Sequence, residues 1–322
     1  MRSIAKLMKD WQFTGPNGVT TAVELPHTWN ARDGQDGGND YWRGCCTYCT
    51  RFAAPVYDPA QQQVWLQFEG VNASAAVLLN GQQLCTHDGG YSTFRAEVTE
   101  LLQAENQLTV RVDNSVNDRV YPQKADFTFY GGIYRDVSLL VVNKNHIALG
   151  HFGDTGVKIT PALQENSADI QVETLVEGSG TVTVELLDAE GRTAAKGEGE
   201  NAFLHLDAPH LWNGVKDPYL YTCVVRLLQD GKPVDEVTTK VGLRSFSVDA
   251  KKGFFLNGVR TPLRGVSRHQ DRLGQGNALT QEQHEEDVAF IREVGANTVR
   301  LAHYQHSPYF YDACDRAGLV VW

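Results

Sequence analysis

From about Tyr41 to Gly242 the chain is written in short apolar–polar alternations, broken every few positions by Gly, Asn, Asp or Pro. A helical period is almost absent from this stretch. Successive side chains of a strand point to opposite faces, so alternation describes a surface with one dry and one wet side. Val64-Trp65-Leu66-Gln67-Phe68 follows that rule, and Ala75-Ala76-Val77-Leu78-Leu79 runs into Asn80-Gly81. Asn-Gly is the strongest two-residue hairpin signal because both positions tolerate positive φ. Leu108-Thr109-Val110-Arg111-Val112 and Val137-Ser138-Leu139-Leu140-Val141 continue the pattern. Many short strands without helices predict two sheets packed face to face.

A second series begins near Ile147. It includes Val157-Lys158-Ile159, Ile170-Gln171-Val172, Val182-Thr183-Val184-Glu185-Leu186 and Tyr221-Thr222-Cys223-Val224-Val225, with turns at Asp188-Ala189-Glu190-Gly191 and Gln229-Asp230-Gly231-Lys232. Roughly a hundred residues and about seven strands suit an immunoglobulin-like sandwich. No Cys–Trp–Cys framework is present, so it is not an antibody-type domain.

Then the rhythm changes. Pro262-Leu263-Arg264-Gly265-Val266 reads as a strand, and Thr280 with Gln283 forms a capping box that opens a helix through Val294. Val288, Ile291 and Val294 are expected on its inward face. Gly295 ends that helix, Thr298-Val299-Arg300-Leu301 is a second strand, and Ser307-Pro308 starts a helix that stops at Gly318. Leu319-Val320-Val321-Trp322 begins a third strand. Strand–helix–strand–helix–strand at this spacing predicts the opening of a (β/α)8 barrel. Three parallel strands cannot close a barrel, so the expectation is the front part of a longer polypeptide. The fold class expected is multidomain and mainly β: a jelly-roll sandwich over 1–142, an immunoglobulin-like sandwich over 143–243, and the first strands and helices of an incomplete barrel over 244–322.

A net charge of −10, with basic residues scattered singly, argues against a nucleic-acid partner. No stretch approaches the ~20 apolar residues of a membrane helix, so no membrane partner is expected. Met1 to Asp10 has positive charge but no apolar core, unlike a secretory signal, and the expected location is the cytoplasm. In that compartment the six cysteines are expected as reduced thiols. Cys46-Thr47-Tyr48-Cys49 has redox-motif spacing but sits in a strand-like stretch with no helix following, so neither redox nor zinc chemistry is expected there. His87-Asp88-Gly89-Gly90-Tyr91 reads as a tight turn with a local polar pair, not a metal site. The aromatics Trp42, Tyr91, Phe127, Phe129 and Tyr130 are sugar-stacking candidates that are expected, for the most part, to be core.

Asn297-Thr298-Val299-Arg300-Leu301-Ala302-His303-Tyr304, followed by Asp315-Arg316-Ala317-Gly318-Leu319-Val320-Val321-Trp322, resembles the signature of glycoside hydrolase family 2. Two departures are plain: Gln305 stands where the family has Pro, and Leu301 is atypical. Arg264-Gly265-Val266-Ser267-Arg268-His269-Gln270-Asp271 resembles the family's first barrel strand and loop. Asp126 to Val137 resembles the end of its sugar-binding jelly roll, and Phe68-Glu69-Gly70-Val71-Asn72 a substrate-facing loop. Among members, the Arg-Gly-Val-Ser-Arg-His form and Asp126 are most similar to β-galactosidases.

The resemblance implies a retaining hydrolase of terminal β-D-galactosides as the parent enzyme, with both catalytic glutamates on later barrel strands. No catalytic residue is therefore assigned in this chain, and Glu282, Glu285 and Glu286 read as a solvated helix face. It implies substrate contacts from His303, His269, Asp126 and Asn72, and from Arg300 an orienting bond to the nucleophile. Plainer alternatives stay open: a satisfied buried histidine at His303, an ion pair at Arg300, a salt-bridge network of Arg268, Asp271 and Arg272 around His269, and an ordinary turn at Asn72. No metal site or cofactor is expected in the chain, although the family admits magnesium in the full-length enzyme and a homo-oligomer. The rival functions are a non-catalytic carbohydrate-binding or scaffolding module and a β-glucuronidase. The isolated chain is expected to hydrolyse no chromogenic galactoside above background; turnover surviving removal of host enzymes would contradict that expectation.

Overall fold

The computed structural model describes residues 1–33, 41–150 and 153–322. By internal contacts it divides into two compact units, Ser3–Val142 with Gln270–Thr280, and Met1–Arg2 with Asn143–His269 and Gln281–Trp322.

The first unit is the expected sandwich. One sheet has the order Ser3–Lys6, Val137–Asn143, Gln62–Phe68, Phe94–Glu97. The other runs Thr20–Val23, Trp11–Thr14, Cys45–Ala53, Glu105–Asp113, Ser74–Leu79, Gln82–Asp88. Alternation fixes which side faces in: along Cys45–Ala53 the buried positions are Cys46, Tyr48, Thr50 and Phe52. Of these, Tyr48 and Phe52 meet Val64, Leu66 and Phe68 from the other sheet in one core with Trp11, Val77, Leu108 and Val110. The Asn80-Gly81 hairpin forms as the dipeptide requires, with φ of 52° and 82°. The loop Gln270–Thr280, although it follows the later strand Gly265–Arg268 in sequence, packs within this unit. There the Tyr130 hydroxyl donates to Asp271 Oδ2 at 3.0 Å.

The second unit holds the other sandwich, three strands against four. Val157–Leu163, Ser167–Thr174 and Asn201–Asp207 face Thr193–Glu198, Thr181–Leu187, Tyr221–Gln229 and Lys232–Val241. Both expected turns form, with Asp230 and Gly231 again at positive φ (49° and 73°). Nothing in the sequence reading anticipated the clasp at its edge. Arg2 Nε donates to Asp235 Oδ1 at 2.8 Å, and the Ile147 amide donates to Oδ2 at 2.8 Å. Asp235 is fully buried, so the pairing satisfies a carboxylate that water cannot reach.

An antiparallel meander follows, Phe246–Asp249, Gly253–Leu256 and Val259–Arg260, ahead of the parallel strands. The barrel opening itself is a three-stranded parallel sheet, Gly265–Arg268, Thr298–Leu301 and Val320–Val321, with helices α1 (Gln281–Glu293) and α2 (Pro308–Ala317) between the strands. Its first strand starts later than expected, and the Asn297 side chain, together with its backbone amide donating to the Arg264 carbonyl at 2.9 Å, holds residues 262–264. Asn297 Oδ1 accepts the Arg264 amide at 2.7 Å, and its Nδ2 donates to the Pro262 carbonyl at 2.9 Å. The α1 face also differs. Val294 is 71% exposed, because a residue six positions after Val288 has turned off that residue's side of the helix, and the inward positions are His284, Val288 and Ile291. For α2, Pro308 does occupy the first turn and Gly318 ends the helix in the left-handed region, at φ 74°.

In the first unit, burial lowers the His27 imidazole from its ordinary 6.5 to about 4. Between those values the unfolded chain binds a proton that the folded chain refuses, so stability is present above 6.5 and is lost as pH falls towards 4. Urea midpoints of the first sandwich, followed from neutral pH down to about 4, are expected to drop across that window and to drop less in His27→Gln.

Candidate functional site

The parallel register pairs Ser267 with Arg300 and Arg268 with Leu301, so the two strands end level. In a barrel, the carboxyl ends of the strands are where ligands are handled. His269 leaves one strand and His303 leaves the next, and their rings meet edge to face with centroids 5.3 Å apart. Arg300 Nη2 donates to His303 Nδ1 at 2.9 Å. An imidazole that accepts at Nδ1 carries its neutral-form proton on Nε2, and His303 is exposed. Tyr304 adds a third ring, 5.9 Å from His269. The Arg300 guanidinium lies 5.7 Å from the Trp322 ring centre. Both residues border a cavity of about 930 Å³ whose other walls include Trp212, Leu256, Tyr311 and Val320. The structure thus brings together three expected residues, His269, Arg300 and His303, as two imidazoles in contact with a cation bonded to one of them.

The other two expected residues belong to the first unit. Asp126 is exposed, on a segment outside the strands. Asn72 is 1% exposed in the short strand Val71–Asn72, paired with Gly132–Ile133. Its Nδ2 donates to the Tyr130 carbonyl at 2.6 Å. A Cβ on Gly90 would stand 2.1 Å from Asn72 Oδ1, so glycine there lets the amide sit where it does. Asn72 as placed shapes the Tyr130 turn from inside. Of the aromatics, Phe129 and Tyr130 are buried, as expected for core; Trp42 is 36% exposed and packs edge-on against Trp29.

Arg268 turns from the loop to α1, where Nε donates to Asp287 Oδ2 at 2.9 Å, while Asp271 accepts from Tyr130. This buried Arg268 also reaches His306 and His284, a cluster missed at the level of sequence. The available signal was a histidine, His284, at the inward spacing of α1, where Val288 and Ile291 follow it.

Glu285 sits on α1 and accepts from the Tyr309 hydroxyl at 2.7 Å and from Arg316. Those bonds hold its carboxyl below the usual range, as suits a helix-surface ion pair. Among the described residues no group of three or more His, Cys, Asp or Glu could hold a metal ion. No helix among them is long and apolar enough to cross a membrane. His87 and Asp88 end a strand and separate: His87 stacks on Phe94 with ring centroids 4.2 Å apart, while Asp88 pairs with Arg119 at 2.9 Å.

Three family profiles match in order along the chain. Residues 38–174 match the glycosyl hydrolase 2 galactose-binding domain-like family, 151–244 match glycosyl hydrolases family 2, and 247–322 match the family 2 TIM barrel domain. A β-glucuronidase of Bacteroides fragilis is 38% identical, over 98% of this chain and 48% of the relative. The β-galactosidase BoGH2A of Bacteroides ovatus is 32% identical, over 97% of this chain and 40% of the relative. The crystal structure of an FMN-binding β-glucuronidase from Faecalibacterium prausnitzii L2-6 superposes with a TM-score of 0.96 at 41% identity, over 100% of this chain and 52% of that one. The chain spans about half the length of such relatives, or less.

All six cysteines are free thiols. Cys46 and Cys49 are three steps apart on one extended strand, a span of about 10 Å that no disulfide bridges. Burial pushes the Cys46 and Cys314 thiols up to about 12 and Cys223 to about 11. Alkylation at neutral pH is therefore expected to spare these three in the folded chain and to reach them only in denaturant; peptide mapping of the labelled protein checks this.

Proposed function

The chain belongs to glycosyl hydrolase family 2, and from that premise we propose that the complete protein is a retaining exo-β-glycosidase whose glycone is a β-D-galactoside. The observation that carries the reading is the Arg300–His303 bond with His269 beside it, at the level carboxyl ends of two adjacent parallel strands. In this reading the His303 Nε2–H donates to a glycone hydroxyl and His269 lines the same pocket. Arg300 offers its remaining N–H groups to the nucleophile carboxylate, a use suited to a fixed planar fork. Retention needs that carboxylate and an acid/base partner about 5–5.5 Å apart. Both would come from polypeptide that this chain does not match in its relatives. Asp126, an exposed carboxylate, would accept two sugar hydroxyls; such a site discriminates strongly against sugars lacking them, because its lone pairs are then left unpaired.

A second reading has the same chemistry with a β-D-glucuronide as glycone, favoured by the name of the Bacteroides fragilis relative and that of the Faecalibacterium structure. The first reading has Asp126 at the glycone, where it would repel a substrate carboxylate. p-Nitrophenyl β-D-galactoside and β-D-glucuronide, assayed side by side with the complete protein, decide between them. Galactoside preference is expected, and Asp126→Ala and His303→Ala should each lower kcat/KM by about 100- to 10,000-fold. Near-parental activity in both variants would end the assignment, and glucuronide preference would transfer it to the second reading.

A further inference from the structure

The Arg268 side chain is only 7% exposed and is surrounded by acceptors. Nε and Nη2 donate to Asp287 Oδ2 at 2.9 and 2.6 Å. Nη1 donates to His306 Nδ1 at 2.9 Å, and Nη2 also reaches His284 Nδ1 at 3.0 Å. One face of the guanidinium lies over Phe310, 3.9 Å from the ring centre. A guanidinium has donors only, so both histidines must present a lone pair at Nδ1 and carry their proton on Nε2.

An Arg–Asp pair alone would neutralise the charge, and an apolar residue at 306 would pack against Phe310 without the cost of burying a second polar ring. What His306 adds is a fixed point. The Arg268 carbonyl accepts the Ala302 amide at 3.0 Å, so one residue grips the turn after Leu301 at both ends. Its main chain holds 302, its side chain holds 306, and His303 lies between them. Ser307, which follows the second grip, is the N-cap of α2, so the turn has a rigid body behind it.

We propose that Arg268 is a positioning residue for His303, acting through His306 and the 302–306 turn. The inference rests on the reading of His303 as a sugar contact, and its test has one arm that needs no activity.

In the 322-residue chain, nitrogen-15 NMR of the imidazoles is expected to find His306 and His284 as Nε2–H tautomers. In His306→Leu, the His303 resonances are expected to move. A parental His306 protonated at Nδ1, or His303 resonances unmoved in folded His306→Leu, overturns the proposal whether or not the complete protein is a glycosidase. In the complete protein, His306→Leu is expected to lower kcat by about 10- to 100-fold while KM changes by less than about threefold. His306→Gln, whose amide oxygen still accepts from Nη1, should recover most of that loss. Arg268→Lys, which keeps the charge but not the fork, should behave like His306→Leu. Equal activity of folded His306→Leu and parent sinks the proposal and leaves the family assignment standing. Absence of any glycosidase activity in the parent instead removes the functional reading on which it rests.

Discussion

The parallel pairing of Gly265–Arg268 with Thr298–Leu301 is the constraint on which the candidate site depends. Parallel strands send both carboxyl ends the same way, so residues just past each end fall side by side; an antiparallel pair would have sent His269 and His303 to opposite ends of the sheet. The approach is close. A Cβ on Gly265 would come within 2.0 Å of the Thr298 carbonyl oxygen, so glycine at the strand start lets the two chains sit in this register. From that contact the rest follows in order: level strand ends, an edge-to-face pair of imidazoles, and a guanidinium behind one of them.

Two buried charge clusters hold the second unit, and they solve the same problem differently. Asp235 is saturated by donors of mixed type, the Arg2 fork and the Ile147 amide, and so ties the chain start to the sandwich. Arg268 donates to one carboxylate and two imidazole nitrogens, and ties a strand to α1 and to the turn ahead of α2. Burying an ion without such partners costs several kcal/mol, so removing a partner from either cluster leaves the remainder exposed to the full penalty. Trp212 works alongside them: it is buried and donates its indole N–H to the Asp315 carbonyl at 2.9 Å, joining the sandwich loops to α2.

Most of the architecture was legible because it is local. Alternation located the strands around Val64, Val77, Leu108, Val182 and Val225, and the turn chemistry of Asn80-Gly81 and Asp230-Gly231 located their connections. The site was legible through the resemblance of the Asn297–Tyr304 stretch, which carried Arg300 and His303 as a pair. What the residues did not reveal are contacts between positions far apart in sequence. The Arg2–Asp235 clasp spans 233 positions, and the Arg268–His306 bond joins groups whose neighbours in sequence give no period to read. Val294 failed for a simpler reason: two three-residue steps from Val288 turn it about 120° away from that residue's side of α1, and it is 71% exposed. Asn72 was read as a turn or sugar residue, whereas its amide lies inside, bonded to the Tyr130 carbonyl.

The placement of Gln270–Thr280 within the first unit has a consequence for how such a protein can be taken apart. The chain leaves that unit after Val142, re-enters it for one loop, and departs again, so the unit is not a contiguous length of sequence. A gene segment ending at Val142 would encode a sandwich lacking one of its own loops, including the Asp271 carboxylate that receives the Tyr130 hydroxyl. The complementary segment would carry that loop with its packing partners gone. Modular shuffling of the kind that trades whole sandwiches between enzymes is therefore penalised here by threading: the piece that would travel is stitched into the polypeptide at two separate places.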